Sequence, residues 1–102
     1  MKTGTWSRTE SEEGLLRTLA SIGDAEQLRA LLKEVLTDAE YRAIAKRWAI
    51  LEMLRAGLPQ RTVAREIGGS LCNVTRGARI LRNPDSVAAR FLPDKKDKKE
   101  KK

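Results

Sequence analysis

The chain has 102 residues and a formal net charge of +7, which fits one small domain with a limited apolar core. Histidine is absent and Cys72 is the single cysteine, which excludes a histidine general base, a Cys/His zinc cluster and an intrachain disulfide. Because no apolar run is long enough to span a membrane and residues 1–20 lack a signal-peptide core, we expect a soluble, cytoplasmic protein without a metal.

Helical periodicity runs through nearly the whole sequence, so the pattern predicts an all-α fold. Six helices are predicted, over residues 9–23, 24–36, 38–55, 60–68, 70–82 and 83–92. Asp24 and Thr37 are the expected N-caps of the second and third helices, and Gly23 and Gly57 are the expected ends of the first and third. The last helix is expected to begin near Pro84.

The excess positive charge is confined to two segments. Residues 1–59 carry nine basic and nine acidic side chains, whereas residues 60–82 carry five arginines against Glu66 alone. This distribution is typical of a nucleic-acid-binding protein. The low-complexity segment 94–102 has six lysines and three acids and is predicted to be disordered. It is either a solubilising extension or a nonspecific phosphate-attracting tail.

Within residues 60–82, small and apolar residues occupy the positions that a helix-turn-helix requires. Ala64 lets two helices cross closely, Gly68 permits the turn and Val74 packs the second helix back. A helical projection places one set on the inner face, namely Leu71, Val74, Ala78 and Leu81, and another set outward, namely Cys72, Asn73, Arg76 and Arg79. Such an outward set can bind base edges and phosphates. The alternative is a plain helical hairpin with a solvated basic face.

Two residues do not fit the simple helical pattern. Arg47 falls in the middle of the apolar stripe of the third helix, where its guanidinium needs an internal carboxylate, water or a bound anionic ligand as acceptor. Ile80, one turn after Arg76, is expected to face solvent unless a partner subunit or a ligand covers it.

The segments "LTDAEYRAIAKRWAILEMLRAG" (36–57) and "QRTVAREIGGSLCNVTRGARIL" (60–81) together resemble the Trp repressor family. The shared pattern is L-T, an arginine ten residues after that threonine, then Q-R, and T-R-G in the second helix of the helix-turn-helix. The resemblance, which covers roughly residues 10–92, implies a six-helix fold in an intertwined homodimer. It implies a flexible arm over 1–9 and a dimerisation and DNA-binding domain over 10–93 with its reading head at 60–82.

The resemblance also implies a corepressor site for L-tryptophan, between the long helix and the second helix of the reading head. Arg47 and Arg76 would sandwich the indole ring, Gly77 would let the ring approach, and backbone carbonyls near Glu34 and Leu36 would face the amino group. The full predicted corepressor set is Glu34, Leu36, Thr37, Arg47, Arg76, Gly77 and Ile80.

Double-stranded operator DNA is the partner that the resemblance implies for the reading head. The predicted DNA-binding set is Gln60, Arg61, Leu71, Cys72, Asn73, Thr75 and Arg76. The holo-dimer would then fit its operator as a sequence-specific transcriptional repressor.

The sequence departs from the family pattern at several positions. Ile80 replaces a serine that holds the ligand amino group, and an isoleucine cannot accept that hydrogen bond. Asp38 stands where a proline is usual, the turn between Gly57 and Gln60 is one residue shorter, and Ala64 replaces a DNA-contacting lysine.

Three functions are compatible with these features. The first is a repressor controlled by an indole-type corepressor, and the second is a ligand-independent regulator in which Ile80 fills the pocket. The third is a helical module whose basic face meets an acidic protein. An enzyme is not expected, because acids, nucleophile and base do not cluster at a workable spacing.

Overall fold

The structure is a computed structural model that describes residues 6–69 and 71–93. Within these residues all the regular structure is helical, which confirms the predicted all-α fold with six helices. The helices are α1 (Arg8–Ser21), α2 (Ala25–Val35), α3 (Asp38–Arg55), α4 (Gln60–Ile67), α5 (Leu71–Arg82) and α6 (Val87–Phe91). The predicted disordered tail and most of the predicted arm lie outside the described residues. No helix in the described part is long and apolar enough to cross a membrane.

Side-chain caps begin the second and third helices where the sequence predicts them. The Asp24 carboxylate accepts a hydrogen bond from the backbone N–H of Gln27 at 3.2 Å. Thr37 and Glu40 form a reciprocal capping box, since the Glu40 N–H donates to the Thr37 hydroxyl at 3.1 Å and the Thr37 N–H donates to the Glu40 carboxylate at 2.8 Å. These contacts satisfy backbone donors that the first turn of a helix leaves free.

Two glycines have left-handed backbone conformations next to helix ends. Gly57, with φ of 102°, follows α3 as predicted, and Gly68, with φ of 66°, follows α4 and opens the turn of the helix-turn-helix. The first helix ends differently from the prediction. It stops at Ser21, and its C-cap is Ile22 in an extended conformation, one residue before Gly23.

The last helix begins later than the prediction from Pro84. The Asn83 side chain accepts a hydrogen bond from the Asp85 N–H at 2.9 Å and thereby holds a turn instead of the first turn of a helix. The N-cap of α6 is Ser86, whose hydroxyl accepts from the Ala89 N–H at 3.1 Å.

The chain divides into two compact units, residues 1–41 and 42–102. Among the described residues of the first unit no side chain is fully buried, and Leu28, Leu31 and Leu32 of α2 are half-buried. Arg29 of α2 donates a 2.6 Å hydrogen bond to Glu26, which raises the pKa of the guanidinium.

The second unit contains the buried core. Ile50 of α3, Val63 of α4 and Val74 of α5 are at most 2% exposed and form one cluster. Helix α6 is held to α3 by Arg55, whose guanidinium donates to the carbonyl oxygens of Ala89 at 3.3 Å and Pro93 at 3.4 Å. A cation at the C-terminal end of a short helix also stabilises the negative end of its dipole.

Candidate ligand cleft and nucleic-acid interface

Helices α4 and α5 form the helix-turn-helix that the sequence predicts. Val63 and Val74, one from each helix, are fully buried in the same cluster, and the half-buried Ala64 packs beside them. The N–H of Gly68 donates to the Ala64 carbonyl at 3.0 Å, which closes α4 before the chain turns. The predicted roles of Ala64, Gly68 and Val74 in packing and turning are therefore confirmed.

Helix α5 presents three faces to different surroundings. Its core face carries the buried Val74 and Gly77. Its reading face, formed by Leu71, Cys72, Thr75, Arg76 and Arg79, lines an open depression of about 340 Å³. Its third face borders a cleft of about 40 Å³, the side cleft, which is lined by Arg47, Leu51, Asn73, Arg76, Gly77 and Ile80. At about 100° per residue these sets are the angular sectors expected for one helix.

Close packing of α5 on α3 forms the floor of the side cleft. A Cβ atom at Gly77 would lie 3.0 Å from Cγ2 of Ile50, 3.3 Å from Cδ1 of Leu54 and 3.4 Å from Cδ2 of Leu51. A side chain at this position would therefore force these three side chains of α3 to shift. Ile80 is half-buried and lines the cleft instead of facing open solvent, because α5 is rolled so that this side lies towards α3.

Two guanidinium groups border the side cleft. Arg47 and Arg76 are both exposed, and neither forms a hydrogen bond or ion pair with the described residues of its own unit. An internal carboxylate, one of the three acceptors considered for Arg47, is therefore not used within that unit. Both groups can bind a carboxylate in a bidentate manner or stack on an aromatic ring.

The first residue of α4 lies beside the reading face. The Thr75 hydroxyl donates to Oε1 of Gln60 at 3.5 Å, which links the first residue of α4 to the middle of the reading face. Gln60 and Arg61 are exposed, and so is Leu71, at 54% of its surface. Of the predicted DNA-binding residues, the structure brings Leu71, Cys72, Thr75 and Arg76 together around the depression.

Two placements differ from what the family resemblance suggests. Asn73, assigned to the DNA edge, lines the side cleft with Arg47 and Ile80. Arg79, which the resemblance does not assign, lies on the reading face between Thr75 and Arg76 in angle. The helical projection already placed Arg79 outward, so that signal could have found it. The helical projection did not distinguish the reading face of α5 from the face that borders the side cleft.

The remaining predicted corepressor residues lie at the end of α2, in the first unit. Glu34 is exposed, and Leu36 is the half-buried C-cap whose N–H donates to the Leu32 carbonyl at 2.8 Å. Thr37 is exposed and engaged in its capping box with Glu40. The last carbonyls of a helix have no intrahelical donor, so this chain segment can accept hydrogen bonds from an amino group.

In the described part of the chain, no three His, Cys, Asp or Glu side chains are grouped so that they could hold a metal ion. Comparison with protein families matches residues 10–95 to the family described as Trp repressor protein. Proteins named Trp operon repressor homolog, from Xylella fastidiosa strains M23, Temecula1 and 9a5c, are each 31% identical over 78 residues. The alignment covers 76% of this chain and 85% of each relative. No solved structure matches the chain. The chain belongs to the Trp repressor family, whose members are regulators and not enzymes.

Proposed function

We propose that this protein is a homodimeric, sequence-specific repressor that binds double-stranded operator DNA. Its operator affinity is controlled by a small indole-type corepressor, of which L-tryptophan is the first candidate. The observation that carries this proposal is the position of Arg76, which borders both the reading face and the side cleft. One side chain thus links the surface suited to DNA with the cleft suited to a ligand.

The DNA-binding half of the proposal is supported by the charge and exposure of the reading head. Residues 60–82 carry five arginines against one glutamate, and Arg61, Arg76 and Arg79 are exposed. Arginine binds phosphates and the acceptor edge of guanine, while Gln60 and Thr75 offer neutral hydrogen-bonding groups. Helix-turn-helix dimers, the Trp repressor among them, place two such heads in successive major grooves about 34–36 Å apart.

A second copy of the chain is supported by uncovered apolar surface. Leu15 and Leu16 of α1, Val35 of α2 and Ile44 of α3 are 43–60% exposed in the single chain. Exposed large apolar side chains on three helices are typical of surfaces that another subunit covers. We therefore assign dimerisation and DNA binding to residues 10–93, with residues 1–9 as an arm and 94–102 as a tail.

The ligand half of the proposal requires the side cleft to widen. Its volume of about 40 Å³ is far below the ~300–1,000 Å³ of typical ligand pockets. Arg47 and Arg76 are exposed and unpaired within the described residues of their unit, so both side chains are able to rotate and admit a ring between them. Movement of Arg76 would change the reading face as well, which gives the ligand a physical route to DNA affinity.

The same small volume favours a second candidate function. Ile80 lines the cleft, and a cleft that keeps this size leaves no room for an indole ring. The protein would then be a ligand-independent helix-turn-helix regulator. This candidate requires operator binding that salt weakens but that no indole compound changes.

Two substitutions separate the DNA and ligand halves. Arg47→Ala removes a cleft guanidinium that is absent from the reading face, so we expect loss of L-tryptophan binding with little change in basal DNA affinity. Arg61→Ala removes an exposed α4 guanidinium that does not border the cleft, so we expect weaker operator binding and unchanged ligand affinity. The operator is first selected from random duplexes, and the affinities are measured by calorimetry and fluorescence anisotropy.

The DNA-binding part and the ligand-binding part of the proposed function are contradicted by different results. Failure to select any duplex over random competitor contradicts the repressor assignment and favours a module for an acidic protein. Operator binding without detectable binding of either L-tryptophan or indole-3-propionate favours the ligand-independent regulator. Equal loss of both activities in either variant indicates a folding defect, which circular dichroism detects.

A further inference from the structure

We propose that Asn73 selects the ligand of the side cleft by accepting a hydrogen bond from a neutral ring N–H. This inference rests on the proposed function and concerns a residue that the family pattern places on the DNA side. It follows from the roll of α5. Asn73 and Ile80 are seven residues apart and share one face, and both line the cleft with Arg47.

Hydrogen-bonding capacity singles out Asn73 among the cleft side chains. The guanidinium groups of Arg47 and Arg76 are donors only, and Leu51 and Ile80 have no polar atoms in their side chains. The Asn73 side-chain oxygen is therefore the one side-chain acceptor among the residues that line the cleft. Its amide forms no hydrogen bond with the described residues of its unit, so the acceptor is available.

The two guanidinium groups also determine which ligand donor fits. They attract a carboxylate and can enclose a flat ring, but they disfavour an ammonium group in the same small cleft. A neutral N–H on the ring meets no such repulsion. The ligand class is therefore a flat aromatic carboxylate with a neutral ring N–H, and any amino group lies outside the side cleft.

Removal of the acceptor affects only the ligand that has a ring N–H. Asn73 is exposed, so water replaces the lost acceptor when this amide is absent, and the ring N–H then gains nothing over a ring that lacks it. The wild-type protein should accordingly prefer a ring N–H over an isosteric ring that lacks it by roughly fivefold or more. A variant without the acceptor should lose this preference.

The experiment compares two ligands on the same full-length protein. L-tryptophan and 3-(benzothiophen-3-yl)-L-alanine differ in the replacement of the ring N–H by sulfur. Their dissociation constants are measured by calorimetry on the wild type, on Asn73→Leu and on Gln27→Leu, which removes an exposed amide from α2. We expect a ratio of roughly five to ten for the wild type and Gln27→Leu, and a ratio near one for Asn73→Leu.

The ratio of the two dissociation constants is insensitive to folding defects, because a loosened fold lowers the affinity for both ligands together. An unchanged ratio in Asn73→Leu, or a ratio of one in the wild type, overturns the role of Asn73 and leaves the proposed repressor function intact. Loss of operator affinity in Asn73→Leu with an unchanged ligand ratio assigns Asn73 to DNA instead. Absence of binding by either ligand to the wild type removes both this inference and the ligand half of the proposed function.

Discussion

The close packing around Gly77 allows the effect of a substitution there on the free energy of unfolding to be predicted. Replacement of glycine by alanine inside a helix normally stabilises it by roughly 0.4–1 kcal/mol. At Gly77, however, the new Cβ would lie 3.0 Å from Cγ2 of Ile50 and within 3.4 Å of Leu51 and Leu54. Overpacking of a well-filled core costs about 1–3 kcal/mol. We therefore expect Gly77→Ala to lower the free energy of unfolding by about 1 kcal/mol.

The chain contains a matched control for this change. Gly14 also lies within a helix, α1, but a Cβ atom at that position meets nothing within 4 Å. Gly14→Ala should therefore raise the free energy of unfolding, opposite in sign to Gly77→Ala. Urea unfolding followed by circular dichroism, at one fixed protein concentration, measures both. Equal stabilisation by the two substitutions would refute the close packing of α5 on α3.

Three further substitutions test separate parts of the fold and site. Arg79→Ala should weaken operator binding. It should also make the negative slope of log K against log salt shallower by about 0.9 for each phosphate that Arg79 neutralises. Arg90→Ala on α6 should change neither the operator affinity nor this slope. An unchanged slope for Arg79→Ala removes this residue from the interface. Ser86→Ala should lower the free energy of unfolding by about 1 kcal/mol, measured by urea, because the α6 cap is removed. Thr37→Ala should have an effect of similar size by breaking the box with Glu40.

The helices were predictable because their signals are local. Asp24 and Thr37 accept hydrogen bonds from N–H groups three residues later in the chain, and the conformational freedom of Gly57 and Gly68 is a property of glycine itself. Local competition also explains the error at the last helix. The Asn83 side chain accepts a hydrogen bond from the Asp85 N–H, which forms a turn at this point. Pro84 therefore does not by itself begin a helix.

The faces of α5 were not predictable to the same degree. A helical projection gives the angle between two residues on one helix, but it does not say where a neighbouring helix lies. Asn73 and Arg79 are both outward in projection, yet one borders the cleft and the other the reading face. Gly77 faces α3, and its missing side chain leaves room for the side chains of that helix to approach on that side. This packing is non-local and leaves no periodic signal in the sequence.

The shared position of Arg76 restricts how ligand and DNA can influence one another. A ligand changes DNA affinity only if it binds two arrangements of the protein unequally, and the DNA must then change ligand affinity by the same factor. Since Arg76 borders both surfaces, its side chain is the group whose arrangement both partners would sense. Arg47 borders the cleft alone. On the proposed function, we therefore expect removal of the Arg47 guanidinium to lower ligand affinity with little direct effect on DNA affinity, and removal of the Arg76 guanidinium to lower both affinities and abolish the coupling between them.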